Sequence, residues 1–143
     1  MPGIVLTTDL SPESQRAFPQ VQAVAERLGL PIILLGVIEE VPIEPNAAGL
    51  VVPIPDRARM RRDWSERLER LAHTFGKVPV RTAVLEAMDV PQAIVDFAHQ
   101  ERADYLAMAT HGRSGLRRLL LGSVTESVLR HAHVPVIVYP PPA

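Results

Sequence analysis

Short apolar runs that alternate with segments of helical periodicity constrain the fold of this chain most strongly. The runs at 3–8 and 31–38 are almost continuously apolar and rich in β-branched residues, as in strands buried on both faces of a parallel sheet. Three more strands are predicted at 78–85, at 104–110 and from Val134 to Tyr139. Because helical patterns separate these runs, we predict an α/β protein with a single doubly wound open sheet of five parallel strands. The expected order is Rossmann-like, 3-2-1-4-5, with helices on both faces.

Helix signals lie between the predicted strands. The first helix is expected to have Ser11 as its N-cap, Pro12 as its first residue and Gly29 as its C-terminal stop. Pro19 lies inside this segment and is expected to kink the helix. The expected buried face comprises Ala17, Val21, Val24, Ala25 and Leu28. Later helices are expected to begin near Asp56, at Val90 and at Ser123.

Length and composition narrow the class of protein. At 143 residues the chain fits a single domain, 1–143, with room for a substantial core. Cysteine is absent, which excludes disulfides, thiolate metal sites and cysteine nucleophiles. A net charge of −1 provides no general attraction to nucleic acid, and no apolar run is long enough to cross a membrane. We therefore expect a cytoplasmic protein with neither nucleic acid nor a membrane as partner.

Two loops differ from ordinary connections. Thr7, Thr8 and Asp9 follow the first predicted strand, and Gly112 and Gly115 lie in the loop after the fourth. In an open, doubly wound sheet, ligands bind beyond the C-terminal ends of the strands, where the direction of winding reverses. If the first and fourth strands are neighbours, both loops border one crevice.

The second loop leads to Gly122 and Ser123, and the spacing of Ser123 and Glu126 is that of a capping box at a helix start. The unpaired N–H groups of a helix start attract phosphate, while Gly112 and Gly115 allow close approach of the backbone to a ligand. Each glycine alone also fits an ordinary turn, but their combination favours a phosphate site. The P-loop and the dinucleotide fingerprint are both excluded, because the only lysine lies outside this loop and the first loop has no glycine.

Residues 110–116, 119–126 and 133–138 resemble the C-terminal signature of the universal stress protein family, and 8–11 and 104–108 are similar to the same family. The resemblance extends over essentially the whole chain. It implies a nucleotide-binding α/β protein with strands and loops in the places predicted above.

The ATP-binding type of this family has a glycine pattern that is only partly matched here. The pattern is a glycine, two residues, a second glycine, nine residues and Gly-Ser/Thr, and it falls on Ala109, Gly112, Gly122 and Ser123. The first glycine is thus an alanine. The proline that the family usually has two residues before the aspartate is Thr7 in this chain.

The resemblance implies roles for individual residues. Asp9 would contact the adenosine, Val37 would meet the adenine edge through its backbone, and Gly112, Gly122, Ser123 and Val124 would hold phosphates through backbone N–H groups. Arg113 is added because a guanidinium beside a phosphate loop is a good bidentate partner. The predicted nucleotide-binding residues are Thr7, Thr8, Asp9, Val37, Ala109, Gly112, Arg113, Gly115, Gly122, Ser123 and Val124. No catalytic residue and no metal-ligating side chain is assigned, although Mg²⁺ can accompany a bound triphosphate.

The leading functional hypothesis is an ATP-binding homodimer that acts as a stress-response switch, paired through the strand from Val134 to Tyr139. Two alternatives stay open at this point. One is a weak ATPase, which lacks support from any positioned base. The other is a stress-related scaffold without nucleotide, for which Ala109 and Thr7 are the sequence support.

Overall fold

The computed structural model describes residues 2–41, 56–110 and 121–140. The strands are β1 (Ile4–Thr8), β2 (Ile32–Glu39), β3 (Val80–Ala87), β4 (Tyr105–Ala109) and β5 (Val136–Tyr139). They form one sheet in the order β3-β2-β1-β4-β5, and each pair of neighbours is parallel. The predicted fold class and strand order are confirmed.

Helices cover both faces of this sheet. They are α1 (Pro12–Gln15), α2 (Phe18–Leu28), α3 (Arg57–Ala72), α4 (Val90–Gln100) and α5 (Ser123–His131), and a 3-10 turn (His73–Phe75) follows α3. On one face α2 and α3 pack against the sheet, and on the other face α4 and α5 do so. We call these the α2/α3 face and the α4/α5 face.

The central strand β1 shows why its sequence is continuously apolar. Ile4 and Leu6 point into the α2/α3 face, Val5 points into the α4/α5 face, and all three side chains are fully buried. Each such burial stabilises the fold by about 1.5–3 kcal/mol relative to an exposed side chain. The alternation along β1 also decides which face each residue at its C-terminal end lies on.

The two edges of the sheet differ in how they are covered. Along β3, Arg61 of α3 donates to the main-chain oxygen of Val84 at 3.0 Å, and the hydroxyl of Thr82 donates to Glu69 of α3. Along β5, all four residues are partly exposed. Of the described edges, β3 therefore has polar cover from its own chain, whereas β5 presents apolar side chains to its surroundings.

The first predicted helix is wrong in one respect, because it is two helices. Helix α1 has Ser11 as N-cap and Pro12 as its first residue, as expected, but it ends at Gln15. Pro19 lies in the first turn of α2, where its missing N–H would be unpaired in any case, so it starts a helix and does not kink one. Gly29 ends α2 with a φ of 65°, but Leu28 is 50% exposed and not buried.

The predicted capping box at Ser123 is also wrong. Gly122 is the N-cap of α5, and the N–H of Glu126 donates to the Gly122 main-chain oxygen at 2.9 Å. The Glu126 carboxylate pairs with Arg130 at 2.8 Å, one turn along the helix. Ser123 is therefore the first helical residue, and its hydroxyl is not used as a cap.

Two predicted strands begin later than expected. The N–H of Val78 donates to the Phe75 oxygen in a turn at 3.2 Å, and proline follows at Pro79, so β3 starts at Val80. Strand β5 likewise starts at Val136, after Pro135. In both cases the strand begins directly after a proline, whose carbonyl oxygen accepts from the neighbouring strand at 2.9 Å but which has no N–H to donate.

Candidate functional site

A cleft of about 390 Å³ lies at the C-terminal ends of β1, β2 and β4, on the α4/α5 face. This is the position where an open, doubly wound sheet binds its ligands. The residues that line it are Thr7, Thr8, Asp9, Ser14, Leu35, Val37, Glu39, Val90, Ile94, Met108, Ala109, Gly122, Ser123, Val124 and Thr125.

A chain of hydroxyl groups builds the β1–α1 side of the cleft. Thr8 and Ser14 share a hydrogen bond of 2.8 Å between their hydroxyls, and the Ser14 hydroxyl donates to the Ser11 main-chain oxygen at 2.9 Å. The Thr8 hydroxyl also accepts from the N–H of Leu10 at 3.0 Å. The side chains of Thr8, Ser11 and Ser14 are all buried, so these bonds hold the loop without competition from water.

The Asp9 carboxylate is held in place by Ser11, which also belongs to this network. Its Oδ1 accepts from the N–H of Ser11 at 2.9 Å and from the Ser11 hydroxyl. Between them, Leu10 adopts a φ of 67° although its side chain is 96% buried. A left-handed backbone at a non-glycine residue costs about 1–2 kcal/mol. The hydrogen bonds and the buried Leu10 side chain keep the loop in this conformation, and they orient the Asp9 carboxylate at the cleft.

The β4–α5 side is fastened by a second set of bonds. The N–H of Thr110 donates to the Tyr139 oxygen at 3.0 Å, and the N–H of Gly122 donates to the Thr110 oxygen at 2.8 Å. Thr125, in the first turn of α5, donates its buried hydroxyl to the Ala109 oxygen at 3.0 Å. These bonds place the N-terminus of α5 directly beside the end of β4.

The start of α5 is a site suited to an anion. The first N–H groups of a helix have no partner within the helix and carry a partial positive charge. Gly122, Ser123 and Val124 all line the cleft. Contrary to expectation, the N–H of Gly122 is bonded to the Thr110 oxygen and is not open to a phosphate, so the N–H groups of Ser123 and Val124 are those that an anion can meet. Ser123 is exposed, and its hydroxyl makes no hydrogen bond to any residue that the structure describes.

Ala109 has a conformation that any residue adopts. It is the last residue of β4, it lies in register with Tyr139, and it is absent from the described non-glycine residues with positive φ, which are Leu10 and Arg102. Its side chain packs toward the α2/α3 face, whereas Met108 points into the α4/α5 face with the cleft. The methyl group at position 109 therefore points away from the cleft, and the backbone of Ala109 is what borders it.

Most of the sequence-predicted residues come together in this cleft. Those that line it are Thr7, Thr8, Asp9, Val37, Ala109, Gly122, Ser123 and Val124. Gly112, Arg113 and Gly115 lie outside the described residues. The structure brings in residues that the sequence did not indicate, above all Ser14 and Thr125, whose hydroxyls fasten the two walls. The available signal was a buried serine or threonine at a helical position otherwise suited to an apolar residue.

The remaining surface of the cleft is apolar, with carboxylates at one end. Leu35 and Val37 of β2, Met108 of β4 and Ile94 of α4 form its floor and wall. Asp9 and Glu39 are its acidic residues, and they belong to the β1 and β2 side, across from α5. The cleft therefore has an anion-attracting end, an apolar middle and an acidic end.

Within the described ranges, no three His, Cys, Asp or Glu side chains are grouped so that they can hold a metal ion. His131 contacts the Ser127 oxygen at 2.8 Å through Nδ1, whereas His133 packs against His99 with ring centroids 5.5 Å apart.

None of the helices described here is long and apolar enough to span a bilayer.

Comparison with known proteins identifies the family. The model of the Universal stress protein family matches residues 2–140. This chain belongs to the universal stress protein family. Among its universal stress protein relatives, MJ0577 of Methanocaldococcus jannaschii is 27% identical over 94% of the chain and 92% of that relative. MJ0531 of the same organism is 40% identical over 54% of the chain, which is 44% of that relative.

Solved universal stress proteins have the same fold. One, described as a universal stress protein in complex with cAMP, superposes with a TM-score of 0.68 at 21% identity and covers 99% of this chain and 98% of its own. Another, from Archaeoglobus fulgidus in complex with dAMP, has a TM-score of 0.68 at 20% identity, with 96% and 97% covered.

Proposed function

We propose that this universal stress protein binds an adenine nucleotide in the cleft between the β1–α1 loop and the start of α5, and that this nucleotide is ATP. The observation that carries the proposal is that one cleft combines a helix N-terminus, an apolar middle and an acidic end. A nucleotide has phosphates for the helix start, a planar base for the apolar surface, and sugar hydroxyl and base amino groups that can donate to the carboxylates. The cAMP and dAMP of the two solved relatives agree with this choice of ligand class.

The phosphates are assigned to the start of α5. The N–H groups of Ser123 and Val124 and the Ser123 hydroxyl are the donors that the described part of the cleft offers there. On sequence grounds, Gly112, Arg113 and Gly115 complete the phosphate contacts. Mg²⁺ would accompany a triphosphate mainly through the phosphates and water, since no described group of side chains can hold it.

The nucleoside is assigned to the β1 and β2 side. Strand β2 continues to Glu39, whereas its last pair with β1 is Gly36 with Thr8. Beyond that pair β2 is paired with β3 only, so the backbone near Val37 borders the cleft without a neighbouring strand on the β1 side. This end of β2 can meet the edge of a base, while Asp9 accepts hydrogen bonds from the nucleoside.

A binding role is favoured over ATP hydrolysis. Among the described residues that line the cleft there is no lysine, arginine or histidine, and the Asp9 carboxylate is bonded to Ser11. The scaffold alternative loses one of its two supports, because the methyl group of Ala109 points away from the cleft. Phosphate release by wild type and by a Gly122→Asp variant tests hydrolysis, since equal rates would discard an intrinsic ATPase.

The proposed module is a cytoplasmic homodimer whose partners change with nucleotide occupancy. Strand β5 is an edge of the sheet with partly exposed apolar residues, so a second copy of the chain is its proposed cover. The single domain 1–143 and the cytoplasmic location stay predictions.

A matched pair of variants at Gly122 tests nucleotide binding by calorimetry with ATP. Gly122→Asp and Gly122→Asn introduce side chains of the same size, and both residues are favoured N-caps. We expect the aspartate to weaken ATP binding by at least about tenfold relative to the asparagine, because its charge repels the phosphates. A wild-type protein that binds no ATP and releases no adenine nucleotide on denaturation would contradict the proposal.

A further inference from the structure

The hydroxyl groups in the cleft divide into two sets. Thr8 and Ser14 bond each other, and Thr125 bonds the Ala109 oxygen, so these three are occupied in building the walls. Thr7 and Ser123 also line the cleft, but neither hydroxyl bonds a residue that the structure describes. Ser123 lies at the helix start, where the phosphates are assigned. Thr7 has no role yet.

Thr7 lies in the apolar floor of the cleft. On β1, Val5 points into the α4/α5 face and Leu6 into the α2/α3 face, so the alternation along the strand turns Thr7 to the α4/α5 face, where the cleft lies. It lies in register with Leu35 of β2. On its other side is β4, whose Met108 also lines the cleft. Its hydroxyl is thus flanked by apolar side chains from both neighbouring strands.

The position of Thr7 along the cleft indicates which part of a ligand it meets. Strand β1 lies between β4, beside which α5 begins, and β2, which carries Val37. A nucleotide with phosphates at Ser123 and its base at Val37 therefore crosses β1 in the middle. The middle of a nucleotide is its sugar.

We propose that the Thr7 hydroxyl hydrogen-bonds a hydroxyl of the ribose and thereby selects ribonucleotides over the corresponding deoxynucleotide. This inference rests on the proposed nucleotide function and adds a residue that determines sugar specificity. In an apolar floor a hydroxyl without a partner is unfavourable once a ligand has displaced water, so a ligand without the matching group binds less tightly. Such a bond between neutral groups corresponds to about 3- to 10-fold in affinity.

The test is calorimetric titration of wild type, Thr7→Val and Thr7→Ser with ATP, 2′-deoxy-ATP and 3′-deoxy-ATP. Valine keeps the branched shape and removes the hydroxyl, while serine keeps the hydroxyl. We expect Thr7→Val to weaken ATP binding by about 3- to 10-fold and Thr7→Ser to bind nearly as wild type. For the deoxynucleotide that lacks the contacted hydroxyl, Thr7→Val should bind at least as tightly as wild type, because valine leaves no hydroxyl without a partner under the ligand.

Thr8→Val is the control for a structural effect, because its hydroxyl belongs to the wall network and not to the ligand. Its urea midpoint should fall, whereas that of Thr7→Val should equal or exceed wild type. Equal ATP binding by wild type and Thr7→Val would overturn the inference and leave the proposed function intact. Equal weakening of all three nucleotides would overturn it as well, because the bond would not go to a sugar hydroxyl. A wild-type chain that binds no nucleotide would overturn both proposals.

Discussion

Thr125 donates its hydroxyl to the main-chain oxygen of Ala109 at 3.0 Å, and this bond joins the first turn of α5 to the end of β4. The Thr125 side chain is buried, so the bond forms away from bulk water. It therefore links stability of the fold to the position of the helix N-terminus to which the phosphates are assigned.

We expect Thr125→Val to lower the free energy of unfolding by about 1–2 kcal/mol, because the oxygen of Ala109 loses a buried donor. ATP binding should weaken with it, since the start of α5 is no longer fastened to β4. Thr125→Ser keeps the hydroxyl and is the matched control. Urea unfolding and calorimetry measure the two effects, and a valine variant as stable as wild type would show that the bond does not contribute.

At Leu10 we expect the usual order of stability to be reversed, with the glycine variant more stable than the alanine variant. The Leu10 φ of 67° is strained for alanine but not for glycine, and both substitutions remove the buried leucine side chain beyond Cβ. Leu10→Gly should therefore be more stable than Leu10→Ala by about 1 kcal/mol.

The control is Ala25→Gly in the middle of α2, where glycine should cost about 1 kcal/mol in the ordinary direction. Unfolding in urea compares all four proteins. If Leu10→Gly is less stable than Leu10→Ala, the left-handed conformation is not present in solution.

Tyr139 has a buried hydroxyl oxygen with no hydrogen-bond partner among the described residues. We expect Tyr139→Phe to raise the free energy of unfolding by about 0.5–1 kcal/mol, because it removes a polar group that loses its hydration on folding. Urea unfolding at neutral pH measures this difference.

Desolvation by burial raises the pKa of Tyr139 above its ordinary value of 10.0. The neutral phenol is thus favoured in the folded state, and Tyr139 ionises at a lower pH in the unfolded state. Ionisation of Tyr139 therefore takes nothing from the stability of the fold below pH 10.0, and it lowers the free energy of unfolding as the pH rises from there through the folded-state pKa. The stability gap between Tyr139→Phe and wild type should therefore widen at alkaline pH; a gap that stays constant would contradict this.

A substitution at Ile137 tests whether two copies of the chain pair through β5. Among the described residues, Val136 and Val138 pack on the α4/α5 core and Tyr139 on the α2/α3 core, whereas Ile137 belongs to neither core, although it is only partly exposed. We expect Ile137→Lys to shift the protein from dimer to monomer with little loss of monomer stability, because a lysine at a sheet edge opposes pairing. Light scattering after size exclusion measures the mass. Leu28→Lys, on the exposed end of α2, is the control and should leave the mass unchanged.

The fold was largely predictable, because its signals are local. The apolar runs of β1 and β2, the Ser11-Pro12 helix start and Gly29 with positive φ are all properties of neighbouring residues. The errors arose where two local rules competed. Proline is unfavourable inside a helix and favourable in its first turn, and only the end of α1 at Gln15 decides which applies to Pro19.

The candidate site was predictable in its residues but not in its contacts. Sequence placed Thr7, Asp9 and Val37 at strand ends and Gly122 at a helix start, and the fold brings these residues into one cleft. Ser14 and Thr125 were missed because each acts on a partner in another element, Thr8 and Ala109 respectively. The helical period can place such a residue on the buried side of its helix, but it does not show which distant oxygen the hydroxyl meets.

The sequence by itself determined the α/β class, the order of the strands and the position of the helix start to which the phosphates are assigned, because periodicity, turn residues and the glycine spacing are encoded locally. Only the tertiary structure decided that the methyl group of Ala109 points away from the cleft, that Thr7 points into it, and that Leu10 holds a left-handed turn. The physical reason is that the side of the sheet on which a residue lies depends on strand register and on what packs against each face. Those relations exist only after strands distant in the chain have paired.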